Sequence, residues 1–221
     1  MIFTAENNAF SLGIKEMGAE LTSLKSKKTG IEYIWDGNTD IWYGQSPILF
    51  PIIGRLLDDK YRLKGIEYTM PKHGIVRKKP FKLIKQTENS LTFAQTDDEE
   101  SLEMYPYHFE LEVEFKLTDN GLSVTHTVHN KNDAVMYYSF GAHPAFNCEI
   151  GDYLEFSENE KLLTERIDHD SILIEEKFPV DLKNNKLYIT KELFCDDALI
   201  LSGYTSKYIS LKSDNHNRVV K

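Results

Sequence analysis

The stretch Phe109-Glu110-Leu111-Glu112-Val113-Glu114-Phe115-Lys116 decides the fold class, because apolar and charged residues alternate along it without a break. A period of two buries one face of a strand and leaves the other face in water, as in an antiparallel sheet. The turn residues Thr118-Asp119-Asn120-Gly121 follow, and Leu122-Ser123-Val124-Thr125-His126-Thr127-Val128 alternates again. The pattern therefore predicts a β-hairpin across this turn.

Short runs with strand character recur along the rest of the chain, and turn residues such as Gly, Asn and Asp separate them. The predicted strands lie at 32–35, 91–95, 136–140, 186–190, 198–201 and 207–212. A helical pattern occurs only at 101–105, where Pro106 limits it to one turn. With no repeat and no linker, the chain is expected to be one all-β domain over 1–221, an antiparallel sandwich or barrel.

Composition excludes several classes of protein. The chain has 221 residues, of which 41% are hydrophobic, so it can bury a core. Lys and Arg number 26 against 35 Asp and Glu, a net charge of −9, which argues against a surface for nucleic acid. No apolar run is long enough for a membrane span, and the N-terminus lacks a signal-peptide pattern. We therefore expect a cytoplasmic protein whose partner is a small molecule, not nucleic acid or a membrane.

The last residues suggest an unfinished sheet. A turn-like stretch at 213–217 precedes Arg218-Val219-Val220-Lys221, which has the pattern of a strand that is just beginning. A sandwich that stops there leaves its last edge unpaired. The pattern predicts a shortened chain, or one whose edge is completed by a partner, and it admits a homodimer.

Two segments combine histidine with glycine and proline, which restrict the backbone. They are Met70-Pro71-Lys72-His73-Gly74-Ile75-Val76-Arg77 and Ser139-Phe140-Gly141-Ala142-His143-Pro144-Ala145-Phe146-Asn147. Such a backbone aims an imidazole, and histidine can serve as acid or base near neutral pH. For either segment alone, a turn histidine bonded to a backbone carbonyl is an equally good interpretation.

A third segment, 45–56, is nearly continuously apolar and carries Arg55 after Gly54. We predict that Arg55 arrives on a buried strand, either as a clamp for a polar ligand or as half of a structural ion pair. His126 and His129 are three residues apart in a predicted strand and so face opposite sides, which argues against a shared metal. The basic run 77–79 is interpreted as a solvated face.

Taken together, these segments resemble the aldose 1-epimerase (galactose mutarotase) family, and within it the LacX-like branch. The likeness covers essentially the whole chain, and its strength lies in the order and spacing of the matching stretches. They are Gly18-Ala19-Glu20-Leu21-Thr22-Ser23-Leu24, Glu32-Tyr33-Ile34-Trp35, Pro47-Ile48-Leu49-Phe50-Pro51 with Gly54-Arg55, His73-Gly74 with Arg77, Tyr105-Pro106-Tyr107-His108-Phe109, and Gly141-Ala142-His143-Pro144-Ala145-Phe146. The implied fold is a large two-layer antiparallel β supersandwich, here C-terminally incomplete.

The resemblance implies interconversion of the α and β anomers of a free aldose such as galactose or glucose. An acid protonates the ring oxygen while a base removes the proton of the C1 hydroxyl, and the ring opens and recloses on the other face. Neither a cofactor nor a metal is implied. By position, His143 would be the acid, His73 would bond a sugar oxygen, and Arg55 would clamp sugar hydroxyls. The remaining implied ligands are Asp197, with Asp196 as the fallback, and a stacking floor of Trp42 and Phe146, which are otherwise ordinary core aromatics.

One element of the family pattern has no counterpart. The family's general base is a glutamate in a Glu-Pro-Trp-like segment near the C-terminus, and these 221 residues contain no such segment. We therefore expect mutarotase activity to be weak or absent. The alternatives are a non-catalytic carbohydrate-binding relative and a hexose-phosphate mutarotase, which would need basic residues at the cleft. The run 77–79 is the candidate for these, although it is expected to face solvent.

Overall fold

The computed structural model describes residues 1–195 and 197–221, and the chain divides into two compact units, Met1–Asn147 and Cys148–Lys221. The strands of the first unit are β1 (Ile2–Glu6), β2 (Phe10–Lys15), β3 (Glu20–Ser26), β4 (Ile48–Leu49), β5 (Lys60–Leu63), β6 (Ile66–Thr69), β7 (Lys82–Gln86), β8 (Ser90–Thr96), β9 (Phe109–Thr118), β10 (Gly121–Asn130) and β11 (Gly141–Ala142). Its helical elements are short: 3-10 turns at Leu57–Asp59 and Val76–Lys78, and α1 (Glu99–Met104).

A four-stranded antiparallel sheet, in the order β10-β9-β8-β7, is the larger layer of the first unit. The predicted hairpin is confirmed, with Thr118 paired to Gly121 and Phe115 paired to Val124. The alternation in β9 does what the pattern predicts, because its apolar residues are buried and its charged residues lie on the other face. Burying each such apolar side chain contributes roughly 1.5–3 kcal/mol, which is why the alternation specifies the register of the hairpin.

The second layer is the three-stranded sheet β1-β2-β3, whose apolar face packs against the larger sheet. The rings of Phe3 and Phe93 meet edge to face with centroids 5.4 Å apart. Leu12, Ile14 and Leu91 are buried in the same core. The all-β, antiparallel, two-layer prediction is therefore confirmed for the architecture of this unit.

The second unit is also made of short antiparallel strands around a small core of its own. They are β12 (Tyr153–Phe156), β13 (Leu163–Ile167), β14 (Leu173–Pro179), β15 (Lys186–Tyr188), β16 (Ile200–Leu201) and β17 (Ile209–Lys212), in the sheets β15-β12-β17 and β14-β13-β16. Phe156, Leu162 and Leu187 form the buried centre. Across both described ranges, no helix has the length and apolar character needed to span a membrane.

Three predicted strands are wrong. Residues 32–35 form only isolated bridges, from Glu32 to Lys25 and from Ile34 to Phe146. Residues 136–140 pair in no sheet, although the Ser139 N–H donates to the Pro51 carbonyl at 2.8 Å. Residues 218–221 do not open a strand, since Val220 forms only an isolated bridge to Leu211. All three stretches have strand-like composition, but composition does not supply a partner strand for their backbone groups.

At Gly74 the backbone packs closely against a distant segment, where it forms a parallel bridge with Phe50. Its φ is +75°, and a Cβ placed on it would lie 2.1 Å from the Phe50 carbonyl oxygen. Gly65 has a similar φ of +84°, but a Cβ there would meet nothing within 4 Å. The two glycines thus separate the cost of the backbone conformation from the cost of a clash.

We predict that Gly74→Ala lowers the free energy of unfolding by roughly 3 kcal/mol or more, because it adds a clash to the left-handed backbone penalty. The control Gly65→Ala should lose only about 1 kcal/mol. Urea unfolding followed by tryptophan fluorescence measures this, since Trp35 and Trp42 both lie in the first unit. Equal losses in the two variants would contradict the packing argument.

Candidate active site

The segment 47–54 lies between the two histidine segments and is hydrogen bonded to both. On one side β4 pairs with β11, so that Ile48 is opposite Ala142. The pairing continues for one more bond, from the His143 N–H to the Pro47 carbonyl at 3.0 Å. His143 therefore leaves the sheet at a point that β4 determines.

The other side of the same segment holds His73. The N–H of Ile75 donates to the Phe50 carbonyl at 2.9 Å, and the N–H of His73 donates to the Gly54 carbonyl at 2.8 Å. His73 itself has a φ of +69°, in the left-handed region that few non-glycine residues adopt. Strain of this kind persists where surrounding contacts hold it and is common at functional sites.

As a result, the structure brings the two predicted histidines together. The centroids of the His73 and His143 rings are 6.3 Å apart. The indole of Trp42 lies next to His143, with its centroid 5.1 Å from the His143 ring. His143 is exposed and His73 is half-buried, so one imidazole is in water and the other is partly shielded from it.

A backbone hydrogen bond from Gly54 determines which ring nitrogen of His73 carries the proton. The N–H of Gly54 donates to His73 Nδ1 at 3.1 Å, so this nitrogen is an acceptor and the ring proton sits on Nε2. Burial lowers the pKa of His73 to about 4, and the nearby charges of Arg77, Lys72 and His143 add to the effect. His73 is thus a neutral hydrogen-bond donor at physiological pH.

Arg55 is placed differently from the prediction. It lies in the loop after Gly54, not on a buried strand, because Gly54 turns the chain outward with a φ of +77°. The Arg55 guanidinium donates from Nε and Nη2 to the two carboxylate oxygens of Asp59, at 2.7 and 2.8 Å. These bonds hold the pKa of the Asp59 carboxyl below its usual value. The structural ion pair considered for Arg55 is therefore present, one residue from the loop that holds His73.

Trp42 is positioned by contacts that the sequence around it does not predict. The Trp35 indole N–H donates to the Trp42 carbonyl at 2.9 Å. Gly44 has no side chain because a Cβ there would lie 2.5 Å from the Trp42 ring. Glu20 anchors the end of this loop, since its Oε1 accepts from the N–H groups of Gln45 and Ser46, at 2.7 and 3.1 Å.

The remaining predicted sugar ligands are Phe146 and Asp197, with Asp196 as the fallback. Phe146 is half-buried against the main core of the first unit and forms a backbone bridge with Ile34, so its packing is that of a core aromatic. Asp197 belongs to the second unit, where its backbone carbonyl accepts from Arg166 Nη1 at 3.4 Å and its φ is +65°. Asp196 lies outside the described residues.

Two cations near His73 have a role that sequence reasoning missed. Arg77 and Lys72 both depress the pKa of His73, and Arg77 Nη2 donates to the Lys72 carbonyl at 3.4 Å. The sequence pattern predicts that Arg77 lies on a solvated face with Lys78 and Lys79, but Val76–Lys78 forms a 3-10 turn in which Arg77 is half-buried. Its position four residues after His73 was the available signal.

Two groups among the described residues have donor atoms close enough for a metal ion, and neither includes His73 or His143. They are Glu110, Glu112 and His129, and the exposed turn residues Asp168, His169 and Asp170. In the first group, His129 Nε2 lies 3.4 Å from Glu112. His126 faces the opposite side of the sheet, opposite Val113 and against Phe140, so His126 and His129 share no site.

The family model for aldose 1-epimerase matches residues 1–220 of this chain. The chain belongs to the aldose 1-epimerase family. This epimerase-family chain is 35% identical to the chromosomal Protein LacX of Lactococcus lactis subsp. lactis over an alignment of 228 positions. The alignment covers 96% of this chain and 76% of LacX. The resemblance and its LacX-like branch are therefore confirmed.

Solved structures of the same family agree with the fold. A galactose mutarotase-like protein from Lactobacillus casei ATCC 334 superposes with a TM-score of 0.94 at 32% identity, over 99% of this chain and 78% of that one. A galactose mutarotase related enzyme from Lactobacillus acidophilus gives a TM-score of 0.93 at 32% identity, over 99% and 75%. The galactose mutarotase-like architecture of this epimerase-family chain is thus established.

The depressed pKa of His73 makes a prediction about stability. The unfolded side chain takes up a proton near its ordinary pKa of 6.5, whereas the folded one does so only near 4. The unfolded state therefore binds more protons between these values, and the protein loses stability as pH falls from about 6.5 to about 4. Burial also lowers the pKa of His126, which adds a loss in the same direction.

We predict that His73→Asn reduces this acid loss while leaving His126 in place, because asparagine tolerates the left-handed backbone at residue 73. The measurement is the free energy of unfolding at pH 7 and at pH 4.5, by urea and tryptophan fluorescence. The matched control is His108→Asn, at an exposed histidine paired with Asp97. An unchanged pH dependence in His73→Asn would contradict the assignment.

Proposed function

We propose that this chain binds an aldose at the His73 and His143 pair and interconverts its α and β anomers. The observation that carries the proposal is the 6.3 Å approach of these two rings beside a half-buried indole. An aromatic face suits the apolar face of a sugar ring, and two imidazoles supply a proton donor and an oxygen ligand. Membership of the aldose 1-epimerase family supports the choice of reaction.

The proposed chemistry assigns different roles to the two histidines. His143 gives its proton to the ring oxygen as the bond from C1 to that oxygen breaks, and the C1 hydroxyl releases its proton to solvent water, which yields the open aldehyde. His73, with Nδ1 occupied by the Gly54 N–H, donates from Nε2 to a sugar oxygen and stays neutral. After rotation about C1–C2, the hydroxyl formed from the ring oxygen attacks the other face of the C1 carbonyl. Its proton returns to His143, and the C1 oxygen takes up a proton from water. General acid catalysis of this kind contributes roughly 10²–10⁴-fold.

The proton of the C1 hydroxyl needs a base, and the residues gathered around His143 do not assign one. The lack of an assigned base among the described residues around His143 favours a second candidate, a carbohydrate-binding relative that keeps the site without turnover. The cytoplasmic location and the homodimer stay predictions from the sequence.

The two candidates make different predictions for His143→Gln. Under the proposed reaction, this variant returns anomer exchange of galactose or glucose to the buffer rate, a loss of roughly 10²-fold or more if the acid is fully used. NMR exchange spectroscopy at equilibrium measures the rate, and sugar-induced shifts in the protein spectrum measure binding. The matched control is His169→Gln, an exposed histidine of the second unit that should behave like the wild type.

Exchange at the buffer rate by the wild type would contradict the enzymatic proposal. If galactose or glucose still shifted the protein spectrum, the carbohydrate-binding candidate would replace it. If neither sugar shifted the spectrum, both candidates would fail, and the histidine pair would have only a structural role.

A further inference from the structure

A cavity of about 340 Å³ lies beside the histidine pair, on the side of Trp42. Three cationic side chains line it, from Lys15, Arg77 and Lys78, against the single carboxylate of Glu20. The cavity wall therefore has a formal charge of +2, while the whole chain has a net charge of −9. Positive charge gathered in a concave site of an acidic protein favours an anionic ligand.

The fold builds this cavity by clamping one turn onto another. The residues between β2 and β3 pack against the segment 76–80, with a bridge between Met17 and Pro80 and a 2.8 Å bond from Gly18 N–H to the Lys79 carbonyl. A Cβ on Gly18 would lie 2.7 Å from the Arg77 carbonyl oxygen, so only glycine allows the approach. Lys15, at the end of β2, is thereby brought beside Arg77.

Of the charged side chains that line the cavity, Glu20 has hydrogen-bond or ion-pair partners for both of its oxygens, whereas Arg77 has a buried N–H without an acceptor among the described residues. Both oxygens of Glu20 are engaged, Oε1 by the two backbone N–H groups of its loop and Oε2 by Lys15 at 3.8 Å. Arg77 donates to a backbone carbonyl through Nη2, but its Nε is buried and has no acceptor within the described ranges. A buried guanidinium N–H without an acceptor is costly, and an oxygen of a bound anion would satisfy it. By contrast, Lys79 is already paired with Asp98 and Glu100.

The cavity and the proposed sugar site share residues. Trp42 lines the cavity and also faces His143, and Pro47 lines it while its carbonyl accepts from the His143 N–H. Arg77 lines the cavity and acts electrostatically on His73. A ligand whose sugar ring lies against Trp42 can therefore place a substituent in the cavity.

We propose that this cavity is an anion subsite and that the substrate is an aldose carrying a phosphate ester on a carbon remote from C1. The inference rests on the proposed function and narrows its substrate class from a free aldose to a phosphorylated one. A phosphate group has about −1.5 to −2 charges at neutral pH and three oxygens, which match one guanidinium and two ammonium groups. A carboxylate on the sugar offers the same kind of contact with less charge.

The experiment compares the affinities of galactose, galactose 6-phosphate and galacturonate, and of glucose and glucose 6-phosphate, by calorimetric titration of the whole chain. We expect the wild type to bind one of the phosphate esters about tenfold or more tightly than its free sugar. Added salt should weaken this preference, because both lysines are exposed. The double variant Lys15→Gln/Lys78→Gln should lose about tenfold in affinity for the ester.

The matched control is Lys85→Gln, which removes one exposed charge from β7 on a different element. It should keep the wild-type preference. Both substitutions of the double variant, at Lys15 and Lys78, lie at exposed positions, and circular dichroism checks that the variant folds. As a further variant, Arg77→Lys keeps the charge but loses the planar fork, and it should weaken binding of the ester more than binding of the free sugar.

Equal affinity for the free sugar and its ester would overturn the anion subsite while leaving the proposed function intact. So would an equal loss for both ligands in the double variant, or the same loss in Lys85→Gln. Tighter binding of galacturonate than of galactose 6-phosphate would overturn the phosphate assignment in favour of a carboxylate. If none of the sugars bound, the proposed function itself would fail, and the inference with it.

Discussion

The hydrogen bonds on both sides of the segment 47–54 hold the candidate site together. His143 is bonded to Pro47 at one end of this segment, and His73 is bonded to Gly54 at the other. Between these points β4 pairs with β11, and Phe50 contacts Gly74 at a distance that only glycine allows. Because the segment itself is buried from Pro47 to Pro51, its position is determined by the core and not by the loops that it carries. Two residues distant in sequence are thereby fixed to one rigid element.

This arrangement also determines the tautomer and the charge of His73. The Gly54 N–H that positions the His73 ring occupies Nδ1, and partial burial beside Arg77 disfavours a positive charge on it. The neighbouring charges would also repel a positive charge on His73, so the surroundings favour the neutral imidazole at this residue. The backbone bond to Gly54 thus serves both as a structural contact and as the choice of tautomer.

Much of the fold was predictable from local pattern, because the alternation along β9 indicates both the period and the buried face. The histidine segments were predictable for a similar reason, since glycine and proline beside histidine indicate a constrained backbone. Arg55 was not, because the pattern that suggested a buried strand ends where Gly54 adopts a left-handed conformation. The stretch 136–140 was also mispredicted, since strand propensity describes an extended backbone but does not supply a partner strand.

The cationic cavity shows a different limit of sequence analysis. In the sequence, Arg77, Lys78 and Lys79 are equivalent members of one basic run. In the structure, Lys79 pairs with Asp98 and Glu100, whereas Arg77 and Lys78 face the same cavity as Lys15, which lies on another strand. What distinguishes them is the packing of the β2–β3 turn onto this run, a tertiary contact that neither charge patterning nor hydrophobic period encodes. Net charge describes the whole surface of a protein, but recognition of an anion depends on the few charges that one cavity brings together.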